Sequence, residues 1–344
     1  PLGIFDDPDN QRQETCYLNL TANNTFIVGS AQTGKTNILQ QIVHSCAEQY
    51  TSDQVNFYIL DFSSMILKNL EPLKHIGGVV LANEDEKMKN FMKMMLSELA
   101  RRKQIFADCG LTSFLSYYEA GYRDLPQIVV LLDNFIPMKE LFSEYDDAFL
   151  TLCRDGLTLG MSVVISNTQS TGMGYKLMSN FAQRVCLVCN DTGEYSMMFD
   201  HCRMVPSEYA GRGLLQIDKQ VYEFQSFLSF DGKQEVDRVL QMRQFVEENN
   251  NRNSRKSARV IPTIPNLLTA EYMEQQYGQQ KENGYEVRIG LEYEQVTPFT
   301  LDLTQNPVIV IGGRSGYGKR NMLHLLMQRL QDNLFTAESE VYLI

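Results

Sequence analysis

The chain has 344 residues, 43% of them apolar, a formal charge of −11 and a pI near 5.0. That length favours two domains with a buried core, while no apolar run approaches the roughly 18 residues of a membrane-crossing helix and no basic-then-apolar leader opens the chain. The acidity counts against a broad nucleic-acid surface, which needs clustered Lys and Arg to release counterions; only 252–259 is locally basic.

Residues 25–28 are a continuous apolar run that predicts a buried strand, followed by a glycine-containing loop and an amphipathic helix over 36–46. A second strand spans 55–60 and ends at Asp61. Residues 87–107 carry Met, Phe and Leu at helical spacing, which assigns Glu98, Arg101, Arg102 and Lys103 to the opposite, polar face. The fully apolar run 128–132 precedes Asp133; 162–166 and 184–189 read as further strands, and 213–217 and 223–227 close the series. Apolar strands alternating with helices predict an α/β fold, a mostly parallel central sheet covered on both faces.

Seven scattered cysteines, an odd number, suit a reducing compartment. Cys186 and Cys189 have CxxC spacing inside a strand-like run, but no second Cys or His pair completes a metal site, so they read as two small core residues. The four histidines are isolated, and His75 and His201 show no partner spacing. The polar stretch 247–259 (EENNNRNSRKSAR) reads as a linker or disordered loop, and Pro262 and Pro265 favour an extended passage beyond it. The expected division is a nucleotide-binding domain over 1–247, a linker over 248–285, and the start of a second such domain over 286–344.

An internal repeat supports that division. Leu2-Gly3-Ile4 corresponds to Ile289-Gly290-Leu291, Phe26-Ile-Val-Gly29 to Ile309-Val-Ile-Gly312, and Val55…Tyr58-Ile-Leu60 to Val341-Tyr342-Leu343-Ile344. The chain opens on Pro1 and stops within a strand-like run, so a piece of something longer is expected. Its second domain would comprise only the first strands, loop and helix.

Gly29-Ser30-Ala31-Gln32-Thr33-Gly34-Lys35-Thr36 fits GxxxxGK[ST] in full, after a strand and before a helix. Glycines let the backbone wrap so that its N–H groups converge on phosphate oxygens, and the helix dipole adds to that field. Lys35 should reach the β- and γ-phosphates and Thr36 should ligate Mg²⁺, making ATP and Mg²⁺ the expected ligands. Asp133, at the end of its apolar strand, would hold the magnesium through water; the bland alternative is a strand-end turn. Active ATPases of this architecture usually carry Glu next to that Asp, but here the residue is Asn134, which cannot accept a proton though it can orient a water. Binding with slow or no hydrolysis is the expectation. Gln169, just past its strand, could contact the γ-phosphate. Arg184 could act in a neighbouring subunit's site or pair with a surface carboxylate.

A second loop, Gly313-Arg-Ser-Gly316-Tyr-Gly318-Lys319-Arg320, keeps the glycines and lysine but has Arg320 in place of the magnesium-ligating hydroxyl. A guanidinium there puts positive charge where the metal would sit. It could neutralise phosphate in the metal's stead, or the site could be empty.

With these residues in view, the chain resembles the FtsK/SpoIIIE-type P-loop ATPases, and more closely the EssC/YukB-like coupling ATPases of type VII (ESX-like) secretion systems. The ordered set includes Leu2-Gly3, Asp6-Asp7-Pro8, Tyr58-Ile-Leu-Asp61-Phe62, His75-Ile-Gly-Gly78, Arg101-Arg102, Arg154-Asp-Gly156, Asn180-Phe181…Arg184, Gly211-Arg-Gly213 and Ile261-Pro…Pro265. The resemblance implies a RecA/FtsK-like fold and tandem ATPase domains, of which this chain would be the middle one plus the start of the last. It also implies membrane anchorage outside this stretch, at the cytoplasmic face of the bacterial cell membrane, with other secretion-system membrane components as partners. Small WXG100-type proteins would be the exported substrates, their C-terminal signal docking on the last domain, and a homo-hexamer is a candidate assembly. Asn134 and Arg320 depart from the active pattern. A DNA-translocating motor of the same fold is the competing reading, disfavoured by charge, by Asn134 and by the tandem second loop. An independent small-molecule kinase fits the repeat poorly.

Overall fold

The computed structural model describes residues 1–265, 267–278, 286–293, 296–305 and 308–334. They divide into two compact units, Pro1–Ile261 and Pro262–Ile344.

The first unit is built on one ten-stranded sheet. Its strands are β1 (Gly3–Asp7), β2 (Arg12–Cys16), β3 (Thr25–Val28), β4 (Val55–Asp61), β5 (Ile76–Leu81), β6 (Gln127–Asp133), β7 (Met161–Asn167), β8 (Gln183–Leu187), β9 (Arg212–Ile217) and β10 (Gln220–Ser226). The order is β2-β1-β10-β9-β8-β3-β7-β6-β4-β5. From β8 to β5 neighbours run parallel, and β9, β10, β1 and β2 extend the sheet antiparallel. Every residue of β3, β4, β6 and β7 is buried, which is why their central residues read as continuous apolar runs instead of alternating ones. One face packs on the helix Asp85–Asp108 through Met88, Phe91, Met95 and Leu99. The other packs on the helices Lys35–Gln49 and Glu235–Arg252 through Ile38, Leu39, Met242 and Phe245. The α/β expectation holds.

Three local expectations are corrected. Glu98 and Arg102 do not face solvent: Arg102 is 0% exposed and Glu98 7%. Arg102 Nε donates to Glu98 Oε1 at 2.7 Å, and its terminal nitrogens donate to the carbonyls of Leu159, Gly160 and Pro126. The charge is buried because the ends of two strand connections present carbonyls that a planar five-donor group can satisfy. Second, residues 247–252 continue the helix Glu235–Arg252, and 253–261 are tied to Ser52, Lys74 and the start of β5. Ala258 and Ile261 N–H groups donate to Lys74 O and Gly77 O, and Tyr58 Oη donates to Arg259 O at 2.7 Å. The asparagines that suggested disorder bind backbone: Asn249 Nδ2 donates to Ala47 O, and Asn250 Oδ1 accepts from Lys74 N. The compact unit therefore runs to Ile261, beyond the boundary expected at 247. Third, β5 was not expected, because Gly77 and Gly78 interrupt its apolar run.

The second unit holds β11 (Glu286–Leu291) paired antiparallel with β12 (Pro298–Asp302), and the helices Ala270–Tyr277 and Lys319–Leu334. Residues 309–312 form no strand; among the described residues nothing pairs with them, and a lone strand has no ladder to stabilise it. The repeat segment 341–344 lies outside the described residues.

Candidate nucleotide-binding site

β3 lies between β7 and β8, and the loop leaving its C-terminal end is held by both neighbours. Gly29 N donates to Asn167 O at 3.3 Å and Ser30 N to Val188 O at 2.9 Å. A Cβ on Gly29 would stand 2.6 Å from Thr33 Oγ1 and 2.8 Å from Leu187 Cβ, so no side chain fits. Gly34 has φ +111°, a left-handed conformation that glycine adopts without strain. Thr33 closes the turn through Oγ1 to Ser30 O, and Gly211 N donates to Thr33 O from behind. The helix Lys35–Gln49 then starts without a side-chain cap. Its unpaired N–H groups and dipole thus converge on the loop, as phosphate binding requires.

Lys35 Nζ folds back to donate to Gly29 O and Ser30 O, each at 2.7 Å. Burial lowers its pKa while the charge of Asp133 works against that shift. Thr36 Oγ1 donates to Asp133 Oδ2 at 2.7 Å, and Ser166 Oγ donates to Asp133 Oδ1. The structure thus brings Lys35, Thr36 and Asp133 together. A hydroxyl in contact with a carboxylate, beside an ammonium and uncapped helix N–H groups, is a donor set that fits Mg²⁺ with a polyphosphate.

Asn134 has φ +73° and donates its backbone N–H to Ser166 Oγ at 3.1 Å. Asn tolerates that backbone better than most residues. Gln169 lines a cleft of about 240 Å³ together with Ser30, Ala31, Cys189, Asn190 and Glu194, so it does border the loop. Arg184 is engaged within its own chain: its guanidinium donates to Met198 O at 2.9 Å and Phe181 O at 3.4 Å. No carboxylate partners it among the described residues.

Sequence reasoning missed Ser166, which ties Asp133 to Asn134, and Asp61. Asp61 pairs in register with Asp133 and accepts N–H bonds from Ser63, Met65 and Leu67; burial raises its pKa, and the charge of Asp133 adds to the rise. A polar residue closing an apolar strand was the available signal for both. Gly211 backs the phosphate loop, although the sequence marks it only as part of a Gly-Arg-Gly motif.

In the second unit, Lys319 Nζ donates to Gly313 O, repeating the Lys35–Gly29 contact. Gly316 and Gly318 have positive φ, and Arg320 is exposed.

The FtsK/SpoIIIE family profile matches residues 3–207. The chain belongs to the FtsK/SpoIIIE family. The ESX secretion system protein EccC of Geobacillus thermodenitrificans is 26% identical over 341 residues, 96% of this chain but 22% of its own length. A solved structure of EssC (ATPases 2 and 3) from the same organism superposes with a TM-score of 0.86 at 26% identity, covering 97% of this chain and 64% of that one. The Thermomonospora curvata EccC (ATPases 2 and 3), solved in complex with a signal sequence peptide, has a TM-score of 0.72 at 22% identity; it covers 96% of this chain and 60% of that one, and shows the shared fold. The chain thus spans about a fifth of the curated relative's length. FtsK/SpoIIIE membership implies nucleotide binding.

Proposed function

We propose that the first unit is an Mg²⁺–ATP-binding domain of a membrane-anchored type VII secretion ATPase that turns nucleotide over slowly. Its occupancy would set the contacts through which a neighbouring, catalytic domain drives export of WXG100-type proteins at the cytoplasmic face. The observation that carries the reading is the 2.7 Å contact of Thr36 with Asp133 beside Asn134, where a proton-accepting Glu is the usual neighbour. The signal peptide bound by the Thermomonospora relative supports an exported protein's signal as the partner of the following domain. Steady ATP hydrolysis by the purified chain is expected below about 1 s⁻¹, under the ordinary enzyme range. Phosphate release measured above that rate, and abolished by Lys35→Ala, would overturn the regulatory reading.

The second loop is assigned a minor role in nucleotide binding, because Arg320 replaces the metal-binding hydroxyl. In a protein with the following domain complete, Lys319→Ala should change Mg²⁺–ATP affinity by less than about twofold, within the ~0.5 kcal/mol spread of a surface substitution. Calorimetric titration checks this. A magnesium-dependent site lost on Lys319→Ala would show that Arg320 leaves the loop functional.

A further inference from the structure

The CxxC pair sits at the phosphate loop, not in an anonymous part of the core. Cys186 lies inside β8, paired with Val28 of β3 and Leu214 of β9. Cys189 lies two residues beyond the strand's end and lines the cleft beside Ser30 and Ala31. Their sulfurs are 3.7 Å apart, and both thiols are free. The residues around Cys189 are those that hold the loop: Val188 O accepts from Ser30 N at 2.9 Å, and Asn190 N donates to Ser30 Oγ at 2.8 Å.

We propose that Cys186 and Cys189 are a peroxide-sensitive thiol pair whose closure to a disulfide weakens nucleotide binding at the adjacent phosphate loop. A disulfide needs the sulfurs at about 2.05 Å, so one of them must move. Cys186 is fixed by two ladder neighbours, so the motion falls on 188–190 and strains both bonds to Ser30. Hydrogen peroxide, small enough for the cleft, is the oxidant. The Cys189 thiolate attacks one peroxide oxygen; the O–O bond breaks, hydroxide leaves and takes up a proton to become water, and Cys189 becomes a sulfenic acid. The Cys186 sulfur then attacks the Cys189 sulfur, forming S–S and breaking S–O, and the second hydroxide leaves as water with the Cys186 proton. Two thiols and one peroxide give one disulfide and two waters. Cys189 is suited to the first step: the hydrogen bond from Cys186 lowers its pKa, Lys35 adds to this, and burial and Glu194 oppose it. That same bond, with burial, pushes Cys186 up.

The inference rests on nucleotide binding by this loop, and the experiment separates the two. Reduced protein is treated with hydrogen peroxide, its thiols are mapped by alkylation and mass spectrometry, and Mg²⁺–ATP affinity is titrated before oxidation, after it, and after a thiol reductant. The expected result is a Cys186–Cys189 disulfide and an affinity drop on the order of tenfold, the weight of one or two loop-holding hydrogen bonds, reversed on reduction. Cys186→Ala should bind as the reduced wild type and keep its affinity in peroxide; Cys189→Ser should likewise lose peroxide sensitivity. The proposal is overturned if the pair stays reduced while exposed Cys109 oxidises, if the disulfide forms with affinity unchanged, or if both variants remain as peroxide-sensitive as wild type. Absence of binding by the reduced protein would instead remove the nucleotide assignment, and the thiol map would still decide whether the pair closes.

Discussion

Lys35→Ala should erase nearly all of the thermal stabilisation that Mg²⁺–ATP confers on the wild-type chain. A ligand at a hundredfold excess over Kd adds about 2.7 kcal/mol to the folded state, which for a unit of this size raises Tm by roughly 5–10 °C. Lys35 is the side-chain cation inside the loop, and its Nζ lies against the carbonyls of Gly29 and Ser30, from where it can turn toward phosphate. Removing it withdraws the charge-assisted bonds that a polyphosphate would receive. The same substitution also deletes the two Lys35 bonds to loop carbonyls, so the ligand-free Tm should fall slightly, by the weight of about 1 kcal/mol. Differential scanning fluorimetry with and without nucleotide separates the two effects. Equal ligand-induced shifts in variant and wild type would sink the assignment of this loop.

The largest effect on stability is expected from Arg102→Ala, about 3–5 kcal/mol, the cost of breaking a buried ion pair from one side. The loss would be read as a fall in the urea midpoint and a drop in Tm on the order of 10 °C. Arg102 fastens the helix Asp85–Asp108 to the segments that lead into β6 and β7, through Pro126 O on one and Leu159 O and Gly160 O on the other. Glu98 would keep Arg101, whose Nε stands 2.8 Å away, so part of the carboxylate remains satisfied. Leu159 O would lose its Arg102 donor in a buried place, and half-buried Pro126 O would lose its own. Arg102→Lys should recover little, because one ammonium cannot span the fork, whereas Arg102→Met combined with Glu98→Leu should recover more. A loss below about 1 kcal/mol for Arg102→Ala would mean that water takes over the guanidinium's role.

The parallel part of the first unit's sheet was legible in the sequence because β3, β4, β6 and β7 are buried along their whole length. Thr25–Val28 and Gln127–Asp133 appear there as unbroken apolar runs, and the loop between β3 and its helix follows a motif that backbone geometry demands. The parts that were not legible depend on partners far away in sequence. Glu98 and Arg102 look like a solvated face until the carbonyls of Pro126 and Leu159 are seen beneath them. Ile76–Leu81 looks too glycine-rich for a strand, yet Gly77 is small because Arg259 O and Tyr58 approach it, a Cβ there standing 2.4 Å from that oxygen. Asn249 and Asn253 resemble disorder by composition, but both are buried against backbone or hydroxyl groups of the first unit. Around the loop, Lys35 and Thr36 were read from motif spacing and Asp133 from its place at a strand end, and the fold brings the three together. Ser166 and Asp61 were not read, because several polar residues close apolar strands and only the fold shows which of them meet Asp133.

The segment along β5 has a practical consequence for how this protein is divided. β5 is the last strand on its side of the sheet, and such a border presents free N–H and C=O groups on which a second chain can add a strand. Residues 258–261 shield part of that border. A truncation at 247, where composition alone would place the boundary, would strip the shield and leave Gly77 O and Lys74 O available to strangers. The product would keep its phosphate loop and still be prone to self-association, and its poor behaviour would mimic a failure of the nucleotide site. The cut that respects the sheet falls after Ile261.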